Sequence, residues 1–136
     1  MSNSAITKGA HHIGLTVPDL AATREFFIET LGFDQLGDVP DYPAVFLSDG
    51  GTMITLWQAQ DPETAVRFDR KNTIGLHHFA LIVEDVPALK KLHETLKVTQ
   101  GVEIEFAPEP LGEGPAYHMM CAIPGGIRTE FIATAI

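Results

Sequence analysis

Two pairs of adjacent histidines, His11-His12 and His77-His78, and a glutamate, Glu130, set in an apolar C-terminal run are the residues whose types and spacing suggest chemistry. The histidine pairs belong to a repeat. Residues 9–20 read GAHHIGLTVPDL and residues 75–86 read GLHHFALIVEDV. At an offset of 66 residues these share Gly9/Gly75, His11/His77, His12/His78, Leu15/Leu81, Val17/Val83 and Asp19/Asp85, which makes coincidence a poor explanation. A repeat of this kind points to two similar modules. The module ends align as well: residues 50–56, GGTMITL, match residues 125–131, GGIRTEF, at an offset of 75, setting Thr55 opposite Glu130. A carboxylate in an apolar strand needs a cation, a hydrogen-bond donor or water. Two histidines from the first strands and a carboxylate from a last strand would make a three-ligand site for divalent Fe, Mn, Co, Ni or Zn. Such a site leaves positions for water, substrate or oxygen. The absence of a thiolate from the set points away from a closed structural zinc site.

The elements that must position these groups follow from periodicity. Residues 11–17 alternate as a strand, with His11, Ile13, Leu15 and Val17 on one parity and His12, Gly14 and Thr16 on the other. Asp19 is a good N-cap, and Leu20, Thr23, Phe27 and Leu31 recur at helical spacing, so a helix is expected over residues 20–31 with Gly32 ending it. That helix should cover the bulky parity and leave His12 on the open face. Strands are expected over residues 33–37, 42–47 and 52–58, the last with Met53, Thr55 and Trp57 on one face. The second module repeats the plan: a strand over 77–83 with His78 on the Ala80 and Ile82 parity, and a helix from Asp85 to about Lys97. Strands over 102–106, 117–122 and 127–133 complete it, with 107–115, APEPLGEGP, as a loop. The chain is therefore expected to be a single α+β domain of two β-α-β-β-β modules, residues 9–58 and 75–133, joined by a polar linker over 59–74.

Secondary candidates surround this set. Tyr117 and His118 lie on opposite parities; His118, which shares its parity with Met120 and Ala122, is expected to face the cleft as an acid–base group. Met53, Thr55, Trp57 and Met120 are expected to line a substrate cavity. His11 and His77 are expected to orient their neighbours by hydrogen bonding. Arg24, Arg67 and Arg128 are read as surface arginines and Cys121 as an inert buried thiol. A net charge of −9 and no basic stripe argue against nucleic acid. No apolar run approaches the roughly 20 residues of a membrane span. The single cysteine and the absence of a signal-peptide pattern at the N-terminus fit a cytoplasmic location.

HIGLTVPDL, HFALIVEDV, the TEF of residues 129–131 and the FFIETLGF of residues 26–33 resemble the vicinal oxygen chelate superfamily of glyoxalases, bleomycin-resistance proteins, fosfomycin-resistance enzymes and extradiol dioxygenases. The resemblance covers about residues 9–133. It implies curved mixed sheets enclosing a metal cleft. It also implies that the first-strand ligands are the histidines five residues before Val17 and Val83, namely His12 and His78, with Glu130 as the third. Glyoxalase I would carry a glutamate at Thr55, so the ligand count favours an extradiol-type dioxygenase, with Glu130 and His118 as the groups that act on substrate. A glyoxalase-type lyase or isomerase, or a non-catalytic drug-binding protein of the bleomycin-resistance kind, are the alternatives. Members of this length often form homodimers, in some of which the two subunits share the site.

Overall fold

The computed structural model describes residues 4–136. It divides into two compact units, Met1–Pro62 and Glu63–Ile136. Each unit is a four-stranded mixed sheet with helix against one face, and the unit boundary falls inside the expected linker.

In the first unit the order along the chain is β1 (His12–Val17), α1 (Leu20–Glu25), a π-helical turn (Phe26–Thr30), β2 (Asp34–Val39), β3 (Ala44–Ser48) and β4 (Met53–Gln58). The sheet order is β1-β4-β3-β2, with β1 parallel to β4 and the other pairs antiparallel. Asp19 caps α1 by accepting from the Ala22 N–H at 3.2 Å. The expected regular helix over residues 20–31 is not what forms. From Phe26 onward the turns widen, and the Leu31 N–H reaches back five residues to the Phe26 carbonyl. Phe26 and Phe27 are both buried there, and Phe27 meets Phe33 edge-on at 5.0 Å. Gly32, at φ +79°, then turns the chain into β2 in a left-handed conformation that favours glycine.

The second unit runs β5 (Phe79–Ile82), α2 (Val86–Lys97), β6 (Glu103–Pro110), β7 (Tyr117–Ile123) and β8 (Ile127–Ala133), in sheet order β5-β8-β7-β6. Asp85 caps α2 through the Ala88 N–H at 2.8 Å. Leu89 and Leu96 from α2 are fully buried, as are Met119, Ile123 and Phe131 from the sheet. Two expectations need correction. Strand β5 is shorter than expected, beginning at Phe79 opposite Thr129, so His77 and His78 precede it. Strand β6 runs on through Ala107–Pro110, four residues assigned to a loop. Prolines are tolerated there because β6 is an edge strand, and register shifts after Ile104 and Phe106 break its ladder.

Candidate active site

The alternation of β1 leaves Leu15 and Val17 buried and His12, Gly14 and Thr16 exposed on the other face. Parallel pairing sets His12 beside Met53, Gly14 beside Thr55 and Thr16 beside Trp57. Met53 and Trp57 are half-buried and Thr55 is buried. The Trp57 indole N–H donates to the Thr55 hydroxyl at 2.8 Å. Gly14 makes room for this bond, since a Cβ there would stand 3.1 Å from Thr55 Oγ1 and 3.5 Å from Trp57 Nε1. Tyr42 meets the Trp57 ring edge-on at 4.7 Å.

The second unit places Ala80 beside Glu130, as the first places Gly14 beside Thr55, so the alignment of module ends holds in the ladders. Glu130 is 9% exposed. Its Oε1 is 3.2 Å from His78 Nε2, and its Oε2 is 2.7 Å from His118 Nδ1. On β7, His118 and Met120 pair with Ile132 and Glu130, so these residues share one face. Tyr117 points the other way, with Lys90 of α2 5.7 Å above its ring. His118 Nε2 lies 3.9 Å from Glu109 Oε1.

Each first histidine engages the second through its ring. His11 Nδ1 is 3.0 Å from His12 Nδ1, and His77 Nδ1 is 2.7 Å from His78 Nδ1. In the second unit this pair is tied further. Arg128, read from sequence as a surface residue, is in fact buried. Its Nε and Nη2 donate to Glu105 at 2.8 and 2.7 Å, and its Nη1 is 3.2 Å from His77 Nδ1. The bidentate carboxylate neutralises the guanidinium and so permits its burial. Arg24, by contrast, is exposed and bonded to Gln35, and Arg67 is exposed. Sequence reasoning missed Glu105, whose partner could not be read without the bulges of β6.

The hydrogen bonds from Arg128 hold the Glu105 carboxyl below its ordinary value of 4.5, against the opposing effect of burial. A carboxylate lowered on folding contributes stability above its unfolded value and loses that contribution as pH falls through the folded one. Glu105→Gln is therefore expected to flatten the loss of stability below about pH 4.5, measured by urea unfolding across an acid series. An unchanged acid slope would remove Glu105 from the pH response. Burial, then the Glu105 charge, push the Cys121 thiol up to about 12. Since the thiolate is the nucleophile, native protein should resist iodoacetamide and react only when unfolded. Fast alkylation of the native protein would contradict that burial.

Whether the residues fit a metal ion can be judged from the donor set. Among the described residues, no three His, Cys, Asp or Glu side chains converge as a ready metal group. His78 and Glu130 do converge as two. Arg128 can only donate; where His77 Nδ1 accepts from it, His78 Nδ1 is the N–H that faces His77. His78 Nε2 then has its lone pair available towards a carboxylate oxygen. Two acceptors 3.2 Å apart require a cation between them, either a proton or a metal ion. The spacing suits an ion, because neighbouring donors about 2.1 Å from an octahedral cation lie about 3 Å from each other. The pair fits a divalent metal.

A family model described as Glyoxalase/Bleomycin resistance protein/Dioxygenase superfamily matches residues 9–131. The chain belongs to this superfamily. Members of the superfamily typically use divalent metals. Among curated relatives, the chain is 28% identical over 144 residues to a 2-epi-5-epi-valiolone epimerase from an Actinomyces species, covering 90% of this chain and 77% of that one. Among solved structures, a glyoxylase/bleomycin resistance protein/dioxygenase domain from Frankia sp. superposes with a TM-score of 0.78 at 24% identity, over 93% of this chain and 92% of that one. A genomically encoded fosfomycin resistance protein from Listeria monocytogenes gives 0.72 at 19% identity, over 94% of each chain. These structural likenesses show the superfamily's fold, of two four-stranded mixed sheets with few helices. No helix among the described residues is long and apolar enough to cross a membrane.

Proposed function

We propose that this superfamily member is a divalent-metal-dependent epimerase or isomerase that moves a proton at a carbon next to a carbonyl in a small, oxygen-rich substrate. The observation that carries the reading is Glu130, held between His78 Nε2 at 3.2 Å and His118 Nδ1 at 2.7 Å. The epimerase relative favours proton transfer over the ring cleavage that ligand count alone put first. His78 and Glu130 would hold the metal, with His12 supplying the third donor from its own chain or from a partner copy in a homodimer. Fe, Mn, Co, Ni and Zn all suit such donors. When bound, the ion would supply Lewis-acid stabilisation of an enolate on two adjacent substrate oxygens.

The protein's own groups supply the rest. Glu130 would take or return the substrate proton, while its Oε2 stays hydrogen-bonded to His118. A separation of 2.7 Å allows a proton to pass between Oε2 and His118 Nδ1, and His118 Nε2 faces Glu109 at 3.9 Å, towards solvent. Met120 sits beside Glu130 on the same face, and Thr55, Trp57 and Met53 form the matching face of the first unit, where they would contact substrate.

The test is solvent exchange. Untagged protein loaded with Mn, Co, Ni or Zn is incubated in D₂O with a panel of polyhydroxylated ketones, and deuterium at the carbon next to the carbonyl is followed by NMR. Exchange that needs the metal and disappears in His78→Ala supports the reading. Oxygen uptake with catechols under Fe(II), without exchange on the ketones, would favour the extradiol reading. If the protein binds no divalent metal, both readings fail and a binding protein remains.

A further inference from the structure

The two His-His pairs are alike in the repeat but differ in what backs them. In the second unit His77 Nδ1 meets Arg128 Nη1 at 3.2 Å, and Arg128 is fixed by two hydrogen bonds to Glu105. In the first unit the position matching Arg128 is Met53, since His12 pairs with Met53 and the Thr55 and Glu130 positions correspond. A methionine has no N–H to give His11.

We infer that Arg128, anchored by Glu105, acts through His77 to keep a proton on Nδ1 of His78, so that Nε2 is the nitrogen turned to Glu130 for a cation. If His77 Nδ1 carried the proton instead, it would point an N–H at an arginine N–H 3.2 Å away. With the proton on His78 Nδ1, the single lone pair of His77 Nδ1 is shared between two donors, His78 at 2.7 Å and Arg128 at 3.2 Å. Arginine never loses its proton in a protein, so Arg128 stays a donor at any ordinary pH. Burial of Arg128 at 9% exposure, with Glu105 as counter-charge, keeps the donor in place. Arg128, Glu105 and His77 are thus positioning residues. His12, whose first-unit counterpart to Arg128 is Met53, has no such constraint on which nitrogen it presents.

The inference rests on the proposed role of His78 only for its purpose; the proton position stands on its own. Imidazole ¹⁵N shifts separate a protonated nitrogen from one with a lone pair, and can be read on full-length, metal-free protein. Wild-type His78 is expected to carry its proton on Nδ1, and to keep it there when Zn²⁺ is added. Arg128→Met, which copies Met53, and His77→Phe, which leaves Arg128 on Glu105, are each expected to release it, so that a form with the proton on Nε2 alone emerges. His77→Asn, which restores an acceptor, should return it to Nδ1. A lone pair at Nδ1 in the wild type overturns the inference, as does an unchanged Nδ1–H in either variant shown by circular dichroism to be folded. Zn²⁺ affinity separates this from the functional reading. A tenfold to hundredfold loss in the variants is the size expected for a group that orients a ligand. Release of the proton with affinity unchanged would sink His78 as a metal ligand and leave the proton position intact.

Discussion

Glu130→Gln is expected to abolish metal-dependent activity while leaving the metal-free protein as stable as the wild type, to within about 1 kcal/mol. The reason lies in the two contacts of the carboxylate. A glutamine places its carbonyl where Oε2 accepts from His118 and its amide N–H where Oε1 faces the His78 Nε2 lone pair. Every polar group keeps a partner, so the fold loses little. The negative charge is gone, however, and an amide nitrogen points at the place a cation would take. Affinity for a divalent ion should fall more than about a hundredfold, beyond what loss of a supporting group costs. Activity should fall by about 10²–10⁴ if the carboxylate also moves the proton. Glu130→Ala behaves differently: it strands His118 in a largely buried setting and should cost about 1–3 kcal/mol. Calorimetric titration with Mn²⁺ or Zn²⁺ and urea unfolding of both variants separate the effects. A glutamine variant that binds metal as tightly as the wild type would remove Glu130 from the metal site.

The sequence made one class of feature legible and hid another. Alternation along β1 identified His12 as facing away from the helix, because a strand allows only two sides and Leu15 and Val17 claimed one. The position of Glu130 opposite Thr55 was legible because the two glycine-led turns before β4 and β8 align without a gap. Parity also assigned His118 to the Glu130 face, but the 2.7 Å bond depends on the β7–β8 register, which separates the two residues by twelve positions. Arg128 was misread because burial of a guanidinium becomes intelligible only once its counter-charge is known. Glu105 reaches it from a strand with two register shifts, and no periodicity announces those. The extension of β6 past Pro108 was hidden for a related reason. Proline disfavours a central strand but not an edge, and which strand forms the edge is a property of the whole sheet.

The π-helical turn after α1 leads to the largest expected change in stability. A helical stripe of Leu20, Thr23, Phe27 and Leu31 accounts for one buried aromatic, yet Phe26 is 3% exposed and Phe27 fully buried. Adjacent residues on a helix diverge by about 100°, and with Thr23 at i and Phe26 and Phe27 at i+3 and i+4 both rings fall on its broad apolar face. The two rings pack 5.8 Å apart and edge-on, and the widened turn, with the Leu31 N–H bonded to the Phe26 carbonyl, carries the chain on from them. Phe27→Ala should therefore cost about 3–5 kcal/mol, a large share of the 5–15 kcal/mol that typically holds a domain together. Phe26→Ala should cost about as much, and this is the discriminating measurement. Were Phe26 at the rim, its truncation would cost about 1 kcal/mol or less. Urea unfolding of the two variants side by side decides whether both rings hold the core.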